Sequence, residues 1–115
     1  MNEIKTIRAL DLYLRYKELC RQHQQQGKAY TAMDICKILS REKAPRFYIT
    51  EEYALRIMHS IRNGHICTSR QYKDIYRQWR RHGDIEAAIS SPAPSYYLSA
   101  ERIYRILVQA VKLRQ

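Results

Sequence analysis

The densest chemistry-bearing stretch of this 115-residue chain is 69–82, where Arg70, Lys73, Arg77, Arg80 and Arg81 are opposed by one acid, Asp74. On a helix of about 3.6 residues per turn, Arg70, Lys73, Arg77 and Arg81 fall on one stripe, with Tyr72, Tyr76 and Trp79 beside it. Guanidinium and ammonium groups in a row donate hydrogen bonds to phosphate oxygens, so the stripe is a candidate polyanion surface. Most charge runs are solvated faces and nothing more. Five cations against one acid in so short a segment favour a binding surface. Lys17 and Arg21, in an earlier segment of similar sequence, complete the candidate set.

Other constellations are weaker. Glu52 and Glu101 stand just after Thr50 and Ser99, where paired carboxylates for acid–base work compete with reciprocal helix capping, and capping accounts for them. There is no Gly-rich phosphate loop, no metal-spaced histidine pair and no Ser/His/Asp order. The expectation is therefore a protein that is not an enzyme and needs no cofactor. Cys20-x2-His23 and His65-x-Cys67 are too loosely spaced for a structural zinc site, so no metal is expected. Cys20, Cys36 and Cys67 are odd in number and far apart, which reads as reduced thiols. The matched rings Phe47 and Tyr96, and Tyr48 and Tyr97, precede helix caps, a position that suits a hydrophobic staple for at least one ring of each pair, with base stacking by an exposed ring as the alternative.

Composition agrees with a polyanionic partner. Lys and Arg number 21 against 11 acids, a formal charge of +10. Residues 1–64 carry 12 basic and 7 acidic side chains and residues 65–115 carry 9 and 4, so each half nets +5 and the basicity is not a tail. A hydrophobic content of 45% excludes a disordered segment, and 28% charge excludes a membrane span. The N-terminal stretch MNEIKTIRALDLYLRYKEL lacks the apolar run of a leader, so the expected location is the cytoplasm.

The elements that must hold these residues read as a duplication. YKELCRQHQQQG (16–27) aligns with YKDIYRQWRRHG (72–83), DICKILS (34–40) with DIEAAIS (84–90), and APRFYITEEYALRIM (44–58) with APSYYLSAERIYRIL (93–107). The order is the same in both halves, with six extra residues (28–33) in the first.

Each copy predicts three helices. In the first, a helix runs to Gly27, a short one opens at Thr31 with Asp34 closing a capping box, and a third spans Thr50 to Asn63 after an extended KAPRFYI. In the second, helices start at Ser69, Asp84 and Ser99. The expected inward set is Ile7, Leu10, Leu14, Ile35, Leu39, Ile57, Met58, Ile61, Ile75, Trp79, Ile103, Ile106, Leu107 and Val111.

The expected fold is all-α, about six helices as two tandem trihelical repeats, 1–64 and 65–115, sharing one core. The order helix 31–41, break, helix 50–63 is helix-turn-helix-like, although its break of about eight residues exceeds the usual three or four. The function expected is nucleic-acid binding through phosphate contacts, with DNA favoured over RNA. The alternative is a structural or assembly protein, of the phage or mobile-element kind, that docks its basic face on an acidic protein. The helices lack the large apolar face of a membrane-surface binder.

Overall fold

The computed structural model describes the backbone of residues 3–114 and the side chains of residues 3–111. It is all-helical: α1 (Glu3–Gln25), α2 (Ala32–Arg41), α3 (Glu51–Arg62), α4 (Arg70–His82), α5 (Ile85–Ser90) and α6 (Ala100–Arg114). Among the described residues there is no strand, only an isolated antiparallel bridge between Ala44 and Ala93. No helix among them is long and apolar enough to cross a membrane.

The helix starts follow from local side-chain chemistry. Thr31 Oγ1 accepts from the Asp34 N–H at 3.1 Å while the Thr31 N–H donates to Asp34 Oδ2 at 2.9 Å, a complete capping box. Those bonds hold the Asp34 carboxyl below the usual carboxylate range. Thr50 accepts from the Tyr53 N–H at 3.3 Å and Ser99 from the Arg102 N–H at 3.2 Å.

Glu52 and Glu101 depart from the expected box. Each is the second residue of its helix, and the hydroxyl of the cap serves the third. Both carboxylates are exposed, where they favour the positive helix end without closing a reciprocal bond. Thr50→Ala and Ser99→Ala should each cost about 1 kcal/mol in urea denaturation, with Glu52→Gln costing less than either.

Two compact units result, one of Met1–Glu42 with Ser95–Gln115 and one of Lys43–Pro94. The first packs α1, α2 and α6 together, and the second packs α3, α4 and α5. Both draw on both sides of the Gly64–His65 junction. In the first unit the core comprises Leu12 and Leu19 of α1, Ile35, Cys36 and Leu39 of α2, and Ile103 and Leu107 of α6. Arg15 donates to both Glu42 carboxylate oxygens, at 2.8 and 2.7 Å, and ties α1 to the end of α2. In the second unit Phe47, Ala54, Met58, Ile75, Ala88 and Ile89 are buried, and the Phe47 N–H donates to the Ile89 carbonyl at 2.9 Å. α4 turns into α5 across Gly83, whose φ of 75° is left-handed backbone that a side chain would strain.

Two expectations are corrected here. No helix-turn-helix is made of α2 and α3, because α2 packs with α1 and α6 while α3 packs with α4 and α5. The segment after α2 is extended and is held in the second unit by the Ala44–Ala93 bridge and by Phe47, so it does not fold back as a turn. The inward set also shifts. Leu10 (44% exposed), Leu14 (56%) and Val111 (42%) face outward, and Ile7, Ile57, Ile61, Trp79 and Ile106 are half-buried. α1 carries apolar side chains around most of its circumference, so periodicity admits two stripes. Packing selects the one through Leu12 and Leu19.

Candidate nucleic-acid interface

α4 is amphipathic in charge as well as hydropathy. Successive residues step about 100° around a helix. Lys73 and Arg80 therefore lie on one flank of an arc, Arg77 at its centre, and Arg70 and Arg81 on the other flank, all five within about 100°. All five are exposed. Arg77 reaches Asp74 Oδ1 at 3.4 Å, a long contact at the arc's edge, and its side chain remains 77% exposed. Arg70, Lys73, Arg80 and Arg81 enter no ion pair among the described residues.

The opposite face is fixed by Ile75, which is fully buried. Two rings of α4, Tyr72 and Trp79, meet side chains of α3. Tyr72 stands edge-on to Tyr53 with centroids 6.3 Å apart, and a hydrogen bond with the Tyr53 side chain raises the Tyr72 phenol above its ordinary pKa. Trp79 meets His59 edge-on at 5.7 Å and Tyr76 at 6.1 Å.

Arg62, from the last turn of α3, lies 5.1 Å from the indole centroid and donates to His59 Nδ1 at 2.9 Å. The strip's aromatic stem is thus half-buried in the α3–α4 seam. Because Trp79 is half-buried, Trp79→Ala should cost about 2 kcal/mol on thermal or urea denaturation, below the ~3–5 kcal/mol of a fully buried ring.

Lys17 and Arg21 stand one turn apart on α1, both exposed, with Lys17 Nζ 6.0 Å from the Tyr13 ring. They belong to the unit of α1, α2 and α6, and the five cations of α4 to the other. Arg62 is the cation that the sequence did not place beside α4. Its signal was slight: a position on the exposed face of α3 one turn after His59, with nothing local to pair α3 with α4.

The remaining concavities hold less chemistry. In the first unit an almost wholly apolar cavity of about 330 Å³ is bounded by Tyr13, Tyr16, Tyr104 and Leu107 among others. Burial and the neighbouring Cys20 thiol push the Tyr16 phenol up to about 12, so its hydroxyl stays protonated at neutral pH. Cys20 and His23 line a second cavity in that unit, and His23 packs edge-on against Tyr30 at 4.4 Å. His65 and Cys67 line one in the other unit. Among the described residues no three His, Cys, Asp or Glu side chains form a metal-holding group.

The chain matches no protein-family model, no curated protein and no solved structure. The geometry of α4 therefore carries the functional reading.

Proposed function

We propose that this is a small nucleic-acid-binding protein that acts by binding rather than catalysis, mainly through phosphate contacts. The observation that carries the reading is the α4 arc: five exposed cations on one face, one acid at its edge, and four of the five outside any ion pair among the described residues. Arg70, Lys73, Arg77, Arg80 and Arg81 supply most of the affinity, and Lys17 and Arg21 of α1 add to it. Glu52 and Glu101, the matched carboxylates, are exposed at helix starts where their charge has a structural use.

The test is retention of DNA and RNA fragments in a gel shift at low and at high salt. Retention at low salt that is lost at high salt is the expected result. A protein that retains neither nucleic acid at low salt contradicts the reading and reassigns the arc to an acidic protein partner.

We propose as well that the chain is an internal duplication. Several matched positions behave alike, which supports it. Gly27 and Gly83 end α1 and α4 with φ of 72° and 75°. Ala44 and Ala93, aligned with each other, exchange two backbone hydrogen bonds of 2.9 Å. Leu19 and Ile75, Ile35 and Ile85, Leu39 and Ile89, and Met58 and Leu107 are buried as pairs. On this reading the copies have exchanged their third helices, with α6 held by α1 and α2, and α3 by α4 and α5.

The copies also diverge. Asp84 caps α5, whereas its counterpart Asp34 is the third residue of a longer α2. Tyr97 adopts left-handed backbone (φ 58°), and Tyr48 does not.

A further inference from the structure

Resting on the nucleic-acid reading, we infer that the α4 arc takes duplex DNA and is not a reader of single strands. The first ground is where the rings are. Proteins that hold single strands combine a basic groove with exposed aromatic faces on which successive bases stack. Here the arc itself carries no ring. Tyr72 and Trp79 are turned toward α3, and the indole already has a guanidinium 5.1 Å from its centroid.

The second ground is the division of the cations into two flanks. A 13-residue helix is about 20 Å long and about 10–12 Å across, which suits a B-form major groove about 12 Å wide. A helix lying there has a row of phosphates on each side. Lys73 and Arg80 on one flank and Arg70 and Arg81 on the other meet one row each, with Arg77 between them. A single strand offers one row and leaves one flank unused. A-form RNA has a deep, narrow major groove that does not admit the helix. No Asn or Gln lies on the arc: Gln78 and Gln71 fall about 60° and 80° beyond Arg81, and both are half-buried. The contacts therefore follow the backbone more than the base sequence.

The test compares a short DNA duplex, one of its strands and the matching RNA duplex in the same buffer, binding being followed by anisotropy of the labelled nucleic acid. Two phosphate contacts on each flank give a salt exponent of about −3.6 on duplex DNA, and a single strand that meets one flank gives about −1.4, a gap of roughly 160-fold in affinity at about 0.1 M salt. The expected order is therefore duplex DNA tightest, by about that factor over the single strand.

Trp79 is the sole tryptophan, so wild-type protein reports on stacking without any substitution. Its emission should hold steady as duplex DNA saturates the protein. A single strand bound equally or more tightly, or strong quenching of Trp79 by either DNA, overturns the inference and makes the seam a stacking platform. An RNA duplex bound more tightly than DNA overturns it as well. Binding to none of the three also removes the nucleic-acid reading beneath it, which separates that failure from a wrong choice of strand.

Discussion

Severed between Gly64 and His65, neither piece should fold as a monomer, and mixing the two should restore the helical circular dichroism of the whole chain. Residues 1–64 keep α1 and α2 but lose α6, which packs against both, and they leave α3 without α4 and α5. Residues 65–115 keep α4 and α5 but lose α3, and leave α6 alone. Isolated helices of 12 to 15 residues are marginal in water, and a two-helix remnant buries too little apolar surface to offset the entropy of ordering it. Met58 and Leu107, both buried in the whole chain, would be returned to solvent. A folded monomeric 1–64 piece would show that α3 finds its core among α1 and α2, contrary to its packing with α4 and α5.

The second large effect is on binding. Arg77→Ala combined with Arg81→Ala should weaken binding to duplex DNA by roughly 60-fold at about 0.1 M salt, and should do so alike for all sequences. Both positions are exposed on α4 and alanine is a strong helix former, so the variant should keep its fold. A double variant that binds as tightly as wild type would exclude the centre of the arc from the contact.

Much of the secondary structure was legible because its determinants are local. Thr31, Thr50, Ser69, Asp84 and Ser99 each bond to an N–H three residues on, so the helix starts could be read within a few positions. The α4 arc was legible for the same reason, since helical spacing alone puts its cations together. What helical spacing leaves open is which helix packs on which. The stripe of α3 through Ala54 and Met58 states that the helix has a partner, and it fits one helix pair as well as another. The choice depends on the extended segments before α3 and α6, whose bridge from Ala44 to Ala93 joins residues 49 positions apart. α1 failed for a different reason: apolar side chains on two sides gave two equally regular stripes. The placement of Arg62 over Trp79 followed from the pairing of α3 with α4, and so was invisible until that pairing was known.

Nucleic-acid binding by α4 is tested most directly by the salt dependence of wild-type binding to duplex DNA. Cations that replace condensed counterions make log affinity fall linearly with log salt, and about four contacts from α4 give a slope of roughly −3 to −4. A straight line of that slope is the predicted result. An affinity indifferent to salt, or no binding even at the lowest salt, would contradict it.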